Sequence, residues 1–514
     1  MTDLALSALA PLPLLAASLL FLSRPGRRPG ALPRLAEGAT LAALACAAGG
    51  LVQLLLAGPQ MMPLGGTALL RLDPVSVTMA LLVAFVGWVV VRYARRYLDG
   101  EAREGAFHGL TLAAIAAVLV LVQAASLPVM IAAFVATGLV LRQLLLFYPE
   151  RAEARRAAAK FIRVWGAGDL ALIAAAVLFW KGLGTVDVAG LNAAAALPLS
   201  AQVGIGCVVL AAVLKCASFP VHGWLTEVME APTPVSALLH AGIINAGGVM
   251  LIALAGLVQA SPGAMAALVM IGGFTALFGA LVMLTQSAVK TALAWSTVAQ
   301  MGFMLLQCGL GLWALALLHI VAHSLYKAHA FLSSGGAVQT VNAIRRPGPV
   351  AVPGPGAVLR SFGLAMVLYG AVAAGFTALA GEKSAQALAL GAILIFGVSY
   401  LIAQGLADAA PGALTRRTLT ASLAAALAYF GFQVVAQAVW GPGLPAAPVP
   451  GALEWALIVL ALLSFGLVAF AQALFPLWAH HPATAGLRVH LANGLYLNAL
   501  LDRVIGGFRS PARS

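Results

Sequence analysis

Charge is what this sequence has least of, and negative charge least of all. Asp and Glu number 16 and Lys and Arg 29 in 514 residues, so charged residues make up 9%. A typical soluble domain carries about 25%, and so few cannot cover a surface that faces water on all sides. Apolar residues instead reach 62%. Cysteine is also scarce. Cys46, Cys207, Cys216 and Cys308 all fall in apolar runs, with no CxxC or paired spacing. Disulfide frameworks, iron–sulfur ligation and zinc sites are therefore unsupported, and no cofactor is expected. Period-two alternation is missing too, which excludes a transmembrane β-barrel and leaves helices as the spanning element. The sequence reads as an all-α polytopic membrane protein.

A span needs about 20 apolar residues. About fifteen transmembrane helices are expected, near 4–22, 36–57, 74–91, 106–123, 126–147, 161–180, 201–230 (broken), 233–257, 264–285, 291–308, 312–338, 357–379, 385–406, 418–440 and 452–476. The first has no basic leader and no small-residue cleavage site, and is expected to be retained. With the N-terminus outside, 22 of the 29 basic residues fall on inside segments. These are the groups Arg24 to Arg34, Arg92 to Arg103 and Arg151 to Arg163 (Lys160 included), then Lys290, Arg345, Arg346, Arg416, Arg417 and a tail from Arg488. Outside loops hold Arg71, Lys181 and Lys383. The positive-inside rule produces this asymmetry. The net charge of +13 is thus topology and not a nucleic-acid footprint. A bacterial inner membrane is expected, with the N-terminus periplasmic, the C-terminus cytoplasmic and lipid as the surrounding partner.

Four segments follow: N-terminal spans in 1–105, a first half-channel in 106–257, a second in 258–410, and C-terminal spans with a tail in 411–514. The stretches 106–257 and 264–406 each hold five spans, the plan of inverted five-helix repeats with broken helices. The tail LRVHLANGLYLNALLDRVIGGF (487–508) spaces Leu491, Leu495, Leu497, Leu501 and Val504 near helical periodicity. It is expected to lie in the cytoplasmic interface or to dock on a partner.

Few ionisable groups lie at membrane depth, and they concentrate after residue 200. Lys215 stands mid-span, where a charge costs at least ~2.5–3.5 kcal/mol. The break that follows is built from Ser218 and Pro220, and Pro232 and Pro234 punctuate the re-entry. Proline removes a backbone donor and clashes with the preceding turn, freeing carbonyls that can bind water or a cation. Desolvation favours a neutral amine and a carboxylate neighbour favours the ammonium, so a lysine between them can load and release a proton. Asp169, in WGAGDL, is the candidate partner, with Gly166 and Gly168 allowing close helix approach. Locking in one ion pair, or snorkelling to the interface, is the structural alternative.

His240 shares a helical face with Ser236 and Thr233, and an imidazole titrating near neutrality can relay protons. His319, His323 and Lys327 stand at i, i+4 and i+8. Each step turns about 40°, giving a stripe ~12 Å long of the kind a proton wire needs. HxxxH is also a zinc spacing, but no adjacent Glu or third ligand accompanies it. His329 points to a different face, and Arg142 lies near a span end. Glu227, Glu230 and Asp408 are placed at the cytoplasmic margins, with Glu227 and Glu230 as candidate gates.

The stretches LKCASFPVHGWLTEVMEAPTPVSALLHAG (214–242), TQSAVKTALAWSTVAQMGFM (285–304) and LLHIVAHSLYKAHAFLSSG (317–335) resemble the antiporter-like proton-translocating subunits of respiratory complex I and the Mrp antiporters. RLDPVSVTMALLVAFVGWVVVRYARRYL (71–98) adds to the likeness, and NGLYLNALLDR more weakly. The resemblance implies two inverted half-channels with a broken helix in each. It makes Lys215 the central lysine, His240 the histidine of the following helix and Asp169 the acid of the sixth. Lys290 becomes the lysine opening the tenth span, and His319, His323 and Lys327 the relay of the eleventh.

The sequence departs from that pattern in three places. Val135 stands where complex I subunits carry a glutamate. The later broken segment, ALALGAILIFGVSYLIAQG (387–405), has no lysine or acid. The 514 residues are too few for the long lateral helix of the largest complex I subunit. These departures look most like the membrane subunit of DAB-type inorganic carbon accumulation complexes. That likeness implies proton or cation flow driving CO2 hydration by a large soluble zinc carbonic-anhydrase-like subunit on the cytoplasmic face. The chain would then be a transport subunit and not itself an enzyme. The alternatives are a pump subunit of NADH-quinone oxidoreductase, an Mrp-type Na+/H+ antiporter subunit, or a structural membrane anchor.

Overall fold

The computed structural model describes residues 5–64, 67–336, 354–405, 412–478 and 481–504. The first helices are α1 (Pro11–Leu22), α2 (Leu32–Ala57), α3 (Pro74–Tyr97), α4 (Glu104–Gln123), α5 (Leu127–Leu145) and α6 (Ala152–Leu183). A short α7 (Val188–Asn192) leads into α8 (Leu199–Lys215), then α9 (Gly223–Thr226), α10 (Thr233–Ala241), α11 (Ala246–Ala253) and α12 (Ala255–Gln259). The second half holds α13 (Pro262–Met283), α14 (Val289–Gly309), α15 (Trp313–Ser333), α16 (Pro355–Ala380) and α17 (Ala385–Gly405). The chain continues through α18 (Gly412–Trp440), α19 (Ala452–Ala473), α20 (Phe475–Trp478), α21 (Ala485–Ala492) and α22 (Leu497–Val504).

Among the described residues, eleven helical segments are long and apolar enough to cross a membrane, with 233–253 taken as one. α1, α8, α14 and α17 lie at the four other expected positions. Proline sits at the first or second position of α1, α2, α3, α5, α10, α13 and α16, where its missing N–H costs no hydrogen bond. Asp73 caps α3, accepting from the Ser76 amide at 2.8 Å while the Ser76 hydroxyl accepts from the Asp73 amide at 2.9 Å. One pair of strands breaks the all-helical expectation. β1 (Gln60–Leu64) and β2 (Thr67–Leu72) pair antiparallel. The Leu69 carbonyl then accepts from Ala125 at 3.1 Å, tying this end to the start of α5.

The seventh span breaks where expected. The helical backbone stops at Lys215, Ala217 turns into the left-handed region at φ 49°, and the chain resumes as α9. A non-glycine residue there is uncommon and strained. The eighth span, expected to be continuous, is also interrupted. α10 ends at Gly242, a 3₁₀ turn covers Ile243–Asn245, and α11 follows. By contrast α17 runs unbroken, so the later break implied by the resemblance is not found within 385–405. That stretch contains no proline. Asp408 lies outside the described residues.

Two basic-end elements also differ from expectation. Lys160, grouped with the inside loop, lies in α6 and is fully buried. At 32 residues and ~1.5 Å per residue, α6 is longer than the bilayer core of ~30 Å. The tail does not lie free. Leu491 is buried and Leu497 packs on the main core, and Gln286 donates to the Ala492 carbonyl at 3.2 Å. Leu491 and Leu497 of the expected stripe are thus covered by the chain's own helix ends, while Leu495, at a kink between two short helices, stays exposed. α10 lies at the centre, with all nine of its residues buried, and packs on α15 and α3.

The α3 cap gives a local test. Asp73→Ala should lower stability by about 1 kcal/mol, seen as a lower unfolding temperature in detergent, while Asp73→Asn should retain most of it. Equal losses from both would show that the cap is not the source.

Candidate functional site

Lys215 ends α8, and its side chain is fully buried. An ammonium there needs internal compensation, because an unpaired buried charge is not tolerated. Asp169 of α6 supplies it: Lys215 Nζ donates to Asp169 Oδ1 at 2.6 Å. Nζ also donates to the Trp165 carbonyl at 3.4 Å. It lies 4.3 Å from the Phe134 ring centroid and 4.2 Å from that of Trp165. Aromatic faces attract a desolvated cation. Gly168 lets the helices close, since a Cβ there would come within 3.3 Å of Lys215 Cε. Gly166 faces open space and plays no such part. Val135 is 36% exposed and turns outward, whereas its neighbour Phe134 is fully buried over the lysine. The carboxylate partner of Lys215 thus comes from α6 and not α5.

A second network surrounds His240. Its Nδ1 lies 3.1 Å from Thr297 Oγ1, and that hydroxyl donates to the Leu293 carbonyl at 3.0 Å. Having spent its proton, Thr297 accepts from His240, which assigns Nδ1–H as the donor. His240 Nε2 is left buried and unpartnered, and the ring stacks on Phe331 at 4.3 Å. Lys327 Nζ also reaches the Leu293 carbonyl at 3.0 Å, and bonds Ser296 Oγ. His240 and Lys327 therefore converge on one carbonyl of α14. The break after α10 frees carbonyls of its last turn, and His323 Nε2 donates to that of His240 at 3.2 Å. His319 and His323 rings lie 6.0 Å apart, and His319 Nδ1 pairs with Gln307 at 2.7 Å. Among the described residues no cluster of three or more His, Cys, Asp or Glu could hold a metal.

Near the two groups in sequence, Ser218 Oγ, Ser236 Oγ and Asn245 Oδ1 are buried with no hydrogen-bond partner. Ser236 shares the α10 face with His240. Thr233, one turn earlier, is turned to Tyr97, with a hydroxyl contact of 3.3 Å. Among the described residues no hydrogen bond joins Lys215 to His240. Pro220 lies in the break, and Pro232 and Pro234 flank the start of α10.

At the basic end, Lys160 Nζ meets Glu227 Oε1 at 2.7 Å and Asp502 Oδ1 at 2.5 Å. Glu230 pairs with Arg151 at 2.9 Å. Glu227 and Glu230, expected at this mouth, are therefore both engaged by basic residues. Lys290 opens α14, half-buried, with no ion pair among the described residues. His329 is exposed and Arg142 half-buried. The sequence does not mark Lys160, Thr297, Phe134 or Asp502 as site residues. Lys160 stands in a run of loop cations, and nothing local distinguishes a threonine that bridges two helices.

Two family models match the chain. "NADH:quinone oxidoreductase/Mrp antiporter, TM" matches residues 124–351. "NADH-Ubiquinone oxidoreductase (complex I), chain 5 N-terminus" matches 66–108. Over 463 residues the chain is 36% identical to the probable inorganic carbon transporter subunit DabB2 of Halothiobacillus neapolitanus, covering 87% of this chain and 82% of that protein. It is 30% identical over 468 residues to NADH-quinone oxidoreductase subunit L of Mycobacterium tuberculosis, covering 87% and 72%. The structure of the Mrp complex from Dietzia sp. DQ12-45-1b superposes with a TM-score of 0.60 at 23% identity, over 99% of this chain and 60% of the other. That last likeness concerns the fold alone.

The Lys215–Asp169 contact predicts energetic coupling. In a cycle of Asp169→Asn, Lys215→Ala and the double variant, unfolding in detergent should give an interaction energy of about 1–3 kcal/mol. Additive losses would mean that the pair contributes nothing as a pair.

Proposed function

The chain belongs to the NADH:quinone oxidoreductase/Mrp antiporter family, and from that membership we propose that it conducts protons, or another small cation, as the membrane subunit of an inorganic carbon uptake complex. The observation that carries this reading is the fully buried Lys215, held at 2.6 Å from Asp169 between two aromatic faces at a helix break. A permanent charge in an apolar layer is costly, and a group that changes charge there moves an ion.

Lys215 is the central carrier. With a proton on the amine, the ion pair with Asp169 is complete. When the proton leaves, the carboxylate loses its partner and reloading is favoured. The proton passes toward His240, past the Ser218 and Ser236 hydroxyls. Thr297 holds Nδ1–H and leaves Nε2 as the free acceptor. A proton on His240 adds positive charge near Lys327, and in a low-dielectric interior that repulsion is strong. Lys327 and the His323–His319 pair then continue the relay through the second half-channel. Glu227 and Glu230 line the cytoplasmic mouth, at the arginine-rich end that the positive-inside rule assigns to the cytoplasm.

CO2 hydration would lie with a soluble partner, a large zinc protein of carbonic-anhydrase type on the cytoplasmic face. The similarity to a probable inorganic carbon transporter subunit over most of both chains supports this choice. Purification of the intact complex tests it: one large zinc-containing soluble protein is expected. Iron–sulfur and flavin subunits would instead make the chain part of a redox pump, and several small membrane proteins an Mrp-type assembly.

Lys215→Ala is expected to assemble normally and to abolish inorganic carbon uptake; full uptake by the assembled variant refutes the carrier role. Thr297→Val should cut uptake by about a hundredfold or more and Thr297→Ser should restore it, about a hundredfold being the low end of what a positioned proton-transfer group contributes. Equal uptake by the valine variant and the wild type would remove Thr297 from the path.

A further inference from the structure

The C-terminal segment carries a charge that the proposed path does not use. Lys160 is a buried lysine outside that path, and it is held by two carboxylates from distant parts of the chain, Glu227 and Asp502. One turn before Asp502 on α22, Asn498 packs against the seventh-span break. A Cβ on Gly223 would overlap the Asn498 amide, and Asn498 Nδ2 donates to Thr226 Oγ1 at 3.4 Å. Gly494 closes against Trp295. The docked tail therefore covers α9 and the start of α14 together.

Beneath this cover an aromatic cluster separates Lys160 from Lys215. Trp224 lies 5.3 Å from Phe161 and 6.1 Å from Trp165 between ring centroids. Trp224 Nε1 donates to the Leu214 carbonyl at 3.1 Å, next to the carrier itself. α9 thus touches the tail through Gly223 and Thr226, and touches the end of α8 through Trp224.

We infer that the tail is a gate, with Asp502 as its latch: docked on Lys160 and Glu227 it holds α9 and Trp224 closed over the route to Lys215, and undocked it opens that route from the basic end. Asp502 and Lys160 are positioning residues, acting through α9. Net charge in the cluster decides the release. Two carboxylates share one ammonium, so removing Asp502 still leaves Lys160 paired with Glu227 and the fold intact. A soluble partner that draws the tail away would open the path only when bound. This rests on the reading that ions pass through Lys215.

The test uses the full chain in proteoliposomes, with Cys46 and Cys207 replaced by serine. Thr226→Cys reports docking through its rate of labelling by a membrane-impermeant maleimide, and proton flux without any partner reports gating. With Asp502→Asn, labelling should quicken about tenfold, a factor set by losing part of a buried ion pair. Flux should rise with it, and Asp502→Glu should restore both to the wild-type level. Faster labelling with unchanged flux overturns the gate, as does no change in either. Lys215→Ala placed in the Asp502→Asn background separates the two readings. If that double variant conducts like Asp502→Asn, the carrier assignment fails, while the Asp502→Asn labelling and flux against the wild type still decide the gate.

Discussion

A single positive charge in an apolar interior constrains the architecture around it. The Lys215 ammonium cannot be solvated by lipid, so protein must surround it with substitutes for water. Asp169 provides charge, the Trp165 carbonyl a dipole, and Phe134 and Trp165 their ring faces. Each substitute requires a helix at close range. α6 can approach α8 because Gly168 has no side chain to meet the lysine stem. Phe134 brings α5 into the same box, and the Trp165 indole donates to the Phe134 carbonyl at 3.0 Å, fixing α5 against α6.

Helix breaks are the second device. The backbone gives up regular hydrogen bonds only where side chains or other helices replace them. The turn after Lys215 ends the seventh span, and α9 then carries Trp224 back to the last carbonyls of α8. The turn after His240 exposes a carbonyl that His323 takes. The two breaks thus sit next to Lys215 and His240, both fully buried. Each break couples its group to a neighbouring helix: Lys215 to α6, and His240 to α14 and α15. Beside the two couplings, the hydroxyls of Ser218, three residues after Lys215, and Ser236, one turn before His240, are buried without partners.

Much of this site is legible in the sequence, because burial of charge is rare enough to be conspicuous. Lys215 stands out in an apolar run, Asp169 is one of few acids at depth, and the 319/323/327 spacing places three groups on one helix face by geometry alone. Long apolar runs likewise betray the helices. Contacts between distant segments are not written locally. Lys160 lies among loop cations in sequence, and only its place in a 32-residue helix and the return of the tail bury it. Asp502 belongs to a stretch whose periodicity announces an amphipathic helix but not the surface it covers. Phe134 rather than Val135 faces the lysine because helix rotation is set by packing. The break at Gly242–Asn245 has weak local signals, since glycine and asparagine occur within many continuous spans.

The central claim is that the Lys215–Asp169 pair changes protonation as the ion moves. The most direct measurement is infrared difference spectroscopy of the full chain in liposomes when a proton gradient is imposed. A carboxyl signal that responds to the gradient, vanishes in Asp169→Asn and shifts in Lys215→Ala is the predicted result. A gradient-driven spectrum with the same carboxyl bands in all three proteins would contradict the account.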